Sequence, residues 1–245
     1  MKSSFLSNLL LGLLLISCNP KEEVKPITVE FALNFNHLVD GFTVELDQQI
    51  YSNALDQAFS IKTIKYFISS VKLYKEDNTI IELSDIHFVD IRLPETVNYL
   101  FTEKIPLGDY TGISFVYGLT PEENITGRFT NPPESLMEWP IPMGGGYHYA
   151  KIEGQYISQD NYFNFHSGML EGSDYSIHVD LNKPFTVSES GLSLNLNMEI
   201  QNWFTNPNDW DFTYFGPGIM GNHEAQKAVQ ENGTDVFSFD QDITL

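Results

Sequence analysis

The chain has 245 residues, with 33 acidic against 13 basic side chains, a net charge of −20, a single cysteine, and 42% hydrophobic and 13% aromatic content. So negative a field excludes nucleic acid as a partner, because that affinity comes largely from Lys and Arg displacing counterions. One cysteine excludes a disulfide framework and a thiolate cluster for zinc or iron–sulfur, while the apolar content suffices for a packed core and argues against a disordered acidic tail.

The chain opens with Met1-Lys2-Ser3-Ser4 and then an apolar run from Phe5 to Ile16, too short to cross a bilayer as a mature helix. Residues 1–17 read as a secretion signal. Leu15-Ile16-Ser17-Cys18 resembles the bacterial lipobox, in which a small residue precedes the cysteine that is lipidated. Cleavage there leaves 228 residues with 12 basic and 33 acidic side chains, a net charge of −21. Acyl chains on Cys18 would contribute about 0.8 kcal/mol per buried methylene and hold the protein to a membrane without a spanning helix. Residues 18–26, the acylated Cys with Asn19-Pro20-Lys21-Glu22-Glu23-Val24-Lys25-Pro26, form a polar, proline-flanked tether. Lys21-Glu22-Glu23 is similar to the export signal of Bacteroidota lipoproteins. The expected location is the cell envelope, as an outer-membrane lipoprotein on its periplasmic or surface-exposed face.

From residue 27 to 245 a single domain is expected, and its dominant period is two. Ile27, Val29, Phe31, Leu33 and Phe35 alternate with polar or small residues, as do Leu192, Leu194, Leu196, Met198 and Ile200, and Tyr175, Ile177, Val179 and Leu181. Ile64-Lys65-Tyr66-Phe67-Ile68 is apolar on both faces apart from Lys65 and suits a central strand. Further strands are expected at 79–83, 87–91, 110–117, 147–155 and 162–166, with turn clusters between them. The fold class that follows is all-β: an antiparallel sandwich, immunoglobulin-like or related. One short C-terminal helix is expected, capped by Asn222, with Ala225, Ala228 and Val229 as its apolar stripe and Asn232-Gly233 as a left-handed stop.

Common catalytic signatures are absent: no phosphate-cradling glycine loop, no Gly-x-Ser-x-Gly turn, no His-Glu-x-x-His helix, no EF-hand loop. No spacing among the acids selects one pair as a hydrolytic dyad. The reading is therefore not an enzyme.

The histidines carry more information. His37 continues the Phe31, Leu33, Phe35 face and points coreward; His148 shares a parity with Ala150 and Ile152; His166 shares one with Tyr162 and Asn164, and Ser167-Gly168 then ends its strand. His178 lies opposite an apolar face, and His87 has no assigned role. Imidazole is the commonest protein ligand for copper and zinc. Pairing Tyr156 with Tyr162 in a hairpin places His166 opposite Ile152, about 13 Å along the strand from His148, so that joint ligation requires a bulge or another register.

Met137-Glu138-Trp139-Pro140-Ile141-Pro142-Met143-Gly144-Gly145-Gly146-Tyr147 enters the 147–155 strand through three glycines, which permit backbone geometries closed to other residues and set Trp139 and Met143 near the strand's start. The segment resembles the MbnP-like family of bacterial copper-binding proteins. The matching pieces are Trp139, Gly146-Tyr147, Lys151-Ile152-Glu153-Gly154 and Phe165-His166-Ser167-Gly168. Support comes from the stretches 64–73 and 105–115, and from Ile219-Met220-Gly221-Asn222-His223 with the residues after it.

The resemblance implies a secreted β-sandwich that holds copper through histidines, in some members with a tryptophan oxidised to kynurenine by a partner di-haem enzyme. By position His166 is the matched ligand and Trp139 the candidate modified residue. Many members carry a Trp-x-Trp pair where this chain has Trp139-Pro140-Ile141, and His148 and Met143 lie in that altered loop. The candidate metal set is His37, His148, His166, His223 and Met143; imidazole with thioether favours Cu(I). The function read here is a lipid-anchored copper-binding protein for acquisition, storage or handover, with a copper-transport partner. The alternative is a metal-free envelope module for glycan or peptide, with Tyr147, Tyr149, Tyr156 and Tyr162 as its aromatic platform.

Overall fold

A computed structural model describes residues 26–242. The signal peptide, Cys18 and the tether up to residue 25 lie outside the described residues. The longer strands are β1 (Phe31–Val39), β2 (Ala58–Lys75), β3 (His87–Asp90), β4 (Gly108–Tyr117), β5 (His148–Tyr156), β6 (Ser158–Gly168), β7 (Ile177–Leu181), β8 (Leu192–Glu199) and β9 (Phe237–Asp242). β6-β5-β2-β4-β7 run in that order across the larger sheet, with β3 and other short strands paired to β2. β9-β8-β1 run in that order in the second sheet, β9 at its edge, with short strands paired to β1. Among the described residues, no helix is long and apolar enough to cross a membrane.

The two sheets face one another across the alternating apolar positions of the sequence. Phe31, Leu33 and Phe35 of β1 and Leu192, Leu194 and Leu196 of β8 are buried against Ile64, Tyr66 and Ile68 of β2. The fold is the expected all-β sandwich, antiparallel throughout its larger sheet. β1 and β8 depart from that by running parallel, Leu192 beside Phe31 and Met198 beside His37. A parallel pair needs a long crossover rather than a hairpin, and here the whole larger sheet lies between the two strands in sequence. Their outer faces are joined by a side-chain ladder in which Asn34 donates to Ser193 and Asn195, and Asn36 to Asn197.

β2 is central, hydrogen-bonded to β5 on one side and β4 on the other. At its middle Ile64, Tyr66 and Ile68 face the inter-sheet core, which leaves Lys65 and Phe67 on the outer face. The long connection after β4 folds back over that face. Leu119, Met137, Tyr147 and Tyr149 bury with Phe67 and Phe88 as a second, smaller apolar cluster, so the sandwich carries a third layer at this place.

The helix forms at His223–Asn232, with the Asn222 side chain accepting from the Ala225 amide at 3.1 Å. The expected left-handed stop does not form, because Gly233 has φ −67°. Glycine is required there by space: a Cβ would lie 2.3 Å from Ile177 and 2.8 Å from Trp203. Nor is the helix the end of the domain. β9 follows it and pairs antiparallel with β8 along Ser193–Met198, an edge strand that the sequence pattern did not suggest.

Candidate metal centre

The hairpin β5–β6 is where two histidines meet. Its register sets Lys151 opposite His166 and Ile152 opposite Phe165, one residue from the expected pairing. At the mouth of the hairpin the ladder passes from Ala150–Ser167 to His148–Gly168, leaving Tyr149 as the extra residue of a bulge. A bulge turns a strand's parity over. His148 therefore leaves the inward face of Ala150 and Ile152 and joins His166 on the outer face, with ring centres 5.1 Å apart and planes at 85°.

Each imidazole is oriented through one nitrogen. Nδ1 of His148 lies 2.9 Å from the Met137 carbonyl. A carbonyl can only accept, so Nδ1–H donates and the lone pair sits on Nε2. Nε2 of His166 lies 2.8 Å from Oε1 of Glu153. The Glu153 carboxyl is held below its usual pKa chiefly by that hydrogen bond. It is a carboxylate acceptor, so Nε2 of His166 carries a hydrogen and Nδ1 is the nitrogen this bond leaves free. Metal-binding histidines characteristically have the nitrogen away from the metal tied to a carbonyl or carboxylate, and both do here. Burial, with Lys151 beside it, lowers the pKa of His148 to about 3, so it is neutral at ordinary pH.

Trp139 closes the site. Its amide donates to the Gly146 carbonyl at 2.9 Å, and its ring lies edge-on to His148 with centres 4.7 Å apart. The indole packs on Gly168 so closely that a Cβ there would come within 2.8 Å of it. The approach that brings Trp139 down is the glycine run: Gly144, Gly145 and Gly146 have φ of 132°, 70° and 78°, all in the range that side chains disfavour. The indole Nε1 of Trp139 is buried without a hydrogen-bond partner, on the ring that touches His148.

The other expected ligands do not join this pair. His37 does point coreward, but on β1 its Nε2 pairs with the Tyr66 hydroxyl at 3.1 Å. Tyr66 is on the inner face of β2, so the backbone of the larger sheet separates His37 from His148 and His166. Burial lowers its pKa to about 4. His223 is exposed at the start of the helix, its Nδ1 2.7 Å from the Tyr175 hydroxyl. Met143 is half-buried in the turn beyond Trp139, on the side facing Gly221. His178 is exposed, and His87 stacks between Phe35 and Tyr99, with ring centres 5.3 and 4.0 Å away. Among the described residues, no three His, Cys, Asp or Glu side chains gather where one ion could be held. The donor set is thus two nitrogens with an indole beside them. That fits an ion accepting few donors, such as Cu(I), better than zinc, whose structural sites use about four.

Glu153 and Lys151 complete the surroundings, and sequence reasoning gave neither a role. Lys151 sits between Lys65 of β2 and His166 of β6, and its Nζ donates to the Leu136 carbonyl at 3.0 Å. The carbonyls of Leu136 and Met137 are thus both held from β5, which fastens the covering segment over the site. Lys65 is ion-paired with Asp90 at 3.0 Å. The glycan or peptide platform does not form: Tyr147 and Tyr149 are wholly buried, their hydroxyls engaged by the Phe129 amide and by Asp174.

No curated protein matches the chain by sequence. Among solved structures, MbnP from Methylosinus trichosporium superposes with a TM-score of 0.58 at 13% identity, over 89% of this chain and 99% of that one. The MbnP family model matches residues 28–221. The chain belongs to the MbnP family.

Proposed function

We propose that this protein binds copper at His148 and His166, as a lipid-anchored protein of the cell envelope that acquires, stores or hands over the metal. The observation that carries the reading is the convergence of two imidazoles, each with one nitrogen fixed, by the Met137 carbonyl and the Glu153 carboxylate respectively. Membership of the MbnP family and the resemblance of residues 15–18 to a lipobox support it. In this reading acyl chains on Cys18 hold the domain at the outer membrane, and the net charge of −21 on the cleaved chain raises the local concentration of cations around it. Trp139 supplies its ring face to the ion, or an amine and carbonyl once a partner di-haem enzyme has oxidised it to kynurenine. A copper-transport protein is the recipient.

Native mass spectrometry of protein purified from membranes tests these parts together. The expected spectrum shows acylation at Cys18 and one tightly held copper that His148→Ala removes. A protein that takes up neither Cu(I) nor Cu(II) overturns the metal reading, and an unchanged mass at Trp139 overturns the modification.

A further inference from the structure

The turn Ile141–Met143 meets two other stretches of chain beyond Trp139. The Met143 carbonyl accepts from the Glu171 amide at 2.9 Å. Its methyl end lies 3.4 Å from where a Cβ on Gly221 would stand. Met169 approaches the same turn from the end of β6, its Cγ 3.6 Å from the corresponding point on Gly144. His223 stands next to Gly221 and Asn222, with Nδ1 on the Tyr175 hydroxyl at 2.7 Å and Nε2 3.5 Å from Glu171. Three separate segments thus lie side by side at one rim, carrying two half-buried thioethers and the exposed His223–Glu171 pair.

That rim adjoins the histidine pair. Met169 directly follows Gly168, which is opposite His148 and under Trp139. Gln226, in the first turn of the helix that His223 begins, donates to the His166 carbonyl at 2.7 Å and accepts from the Gly168 amide at 3.2 Å. One residue along a strand is about 3.3 Å, so the two places are neighbours. The chemistry of the rim is that of a soft ion: thioethers are uncharged and select Cu(I) over hard cations, and they are flexible enough to release what they take. The Glu171 carboxylate adds attraction for a cation without lying among buried groups.

We propose that Met143, Met169 and His223 form a second, weaker Cu(I) site at the surface, which receives the ion and passes it to His148 and His166 by ligand exchange. Copper remains Cu(I) throughout, and only metal–ligand bonds are made and broken. The proposal rests on copper being the ion of the histidine pair.

The full chain is titrated anaerobically with Cu(I) against a chromogenic chelator, and sulfur scattering is followed by X-ray absorption at one and at two equivalents. Wild type is expected to bind two equivalents, with sulfur around copper appearing only with the second. Met143→Leu/Met169→Leu, a volume-conserving pair that retains the fold, is expected to lose the weaker equivalent and to load the tighter one at least tenfold more slowly with its affinity unchanged. His223→Gln is expected to weaken the second equivalent alone. A single equivalent without sulfur, or a double variant that binds and loads like wild type, overturns the rim site and leaves the histidine pair standing. Sulfur at the first equivalent overturns the separation of the two sites. No uptake by wild type overturns the copper reading itself.

Discussion

The rings of His148 and His166 lie 5.1 Å apart at nearly right angles on one face of the larger sheet, although an unbroken ladder would send their side chains to opposite faces. The bulge at Tyr149 changes this parity, and Gly168 across from it leaves room for Trp139. The approach of the two imidazoles is thus a consequence of one extra residue in one strand.

Glu153→Gln keeps the size of the side chain and removes its charge. With Nε2–H of His166 facing a neutral acceptor, the imidazole is less basic and less firmly oriented. Copper affinity is expected to fall by about 10–100-fold with little change in thermal stability, measured by competition with a chelator and by calorimetry. An unchanged affinity would show that Glu153 does not position His166.

Gly168→Ala places a methyl group 2.8 Å from the Trp139 ring. Neither the strand backbone nor the buried indole can withdraw freely, so the variant is expected to lose about 1–3 kcal/mol in denaturant unfolding. Copper binding should weaken as well, because Trp139 lies against His148. Retention of wild-type stability would mean that the indole is free to move aside.

His37 predicts a pH dependence of stability. Its pKa is about 4 in the folded chain against 6.5 for the free side chain, because burial disfavours the cation. Above the unfolded value it is neutral in both states and costs nothing. As pH falls from 6.5 towards 4 the unfolded chain takes up the proton first, and stability declines by roughly 3 kcal/mol in all. His148 contributes in the same direction down to about 3. His37→Gln, which still offers a partner to the Tyr66 hydroxyl, is expected to flatten the upper part of this decline in urea titrations between pH 7 and 4. An unaltered slope would assign the decline to other groups.

Gly233 separates two reasons for a glycine. At a left-handed helix end asparagine substitutes with little loss, whereas at a close approach any side chain is excluded. With Ile177 and Trp203 standing where a Cβ would be, Gly233→Asn and Gly233→Ala are both expected to be destabilising, by about 1–3 kcal/mol. Thermal unfolding of the two variants checks this; a tolerated asparagine would argue for the left-handed stop.

The sequence by itself determined the class of fold and most of its strands. Period-two patterns in β1 and β8 depend only on which residues avoid water, and that preference is local. The glycine run was legible too, since a triple glycine declares backbone freedom whatever its surroundings, whereas His166 and Trp139 came forward only through the resemblance to the MbnP-like family. Tertiary structure decided the rest. The register of β5 against β6 differs from the sequence estimate by one residue, which was enough to conceal the Glu153–His166 bond. The bulge that brings His148 to the outer face has no composition of its own, because its position is settled by how both neighbouring strands pair and by the cluster that buries Tyr149. His37 shows the complementary limit: its parity correctly indicated an inward side chain, but parity along one strand cannot say which side of another sheet's backbone a partner occupies. A metal site depends on distances between side chains from separate segments, and those distances exist only once the layers have packed.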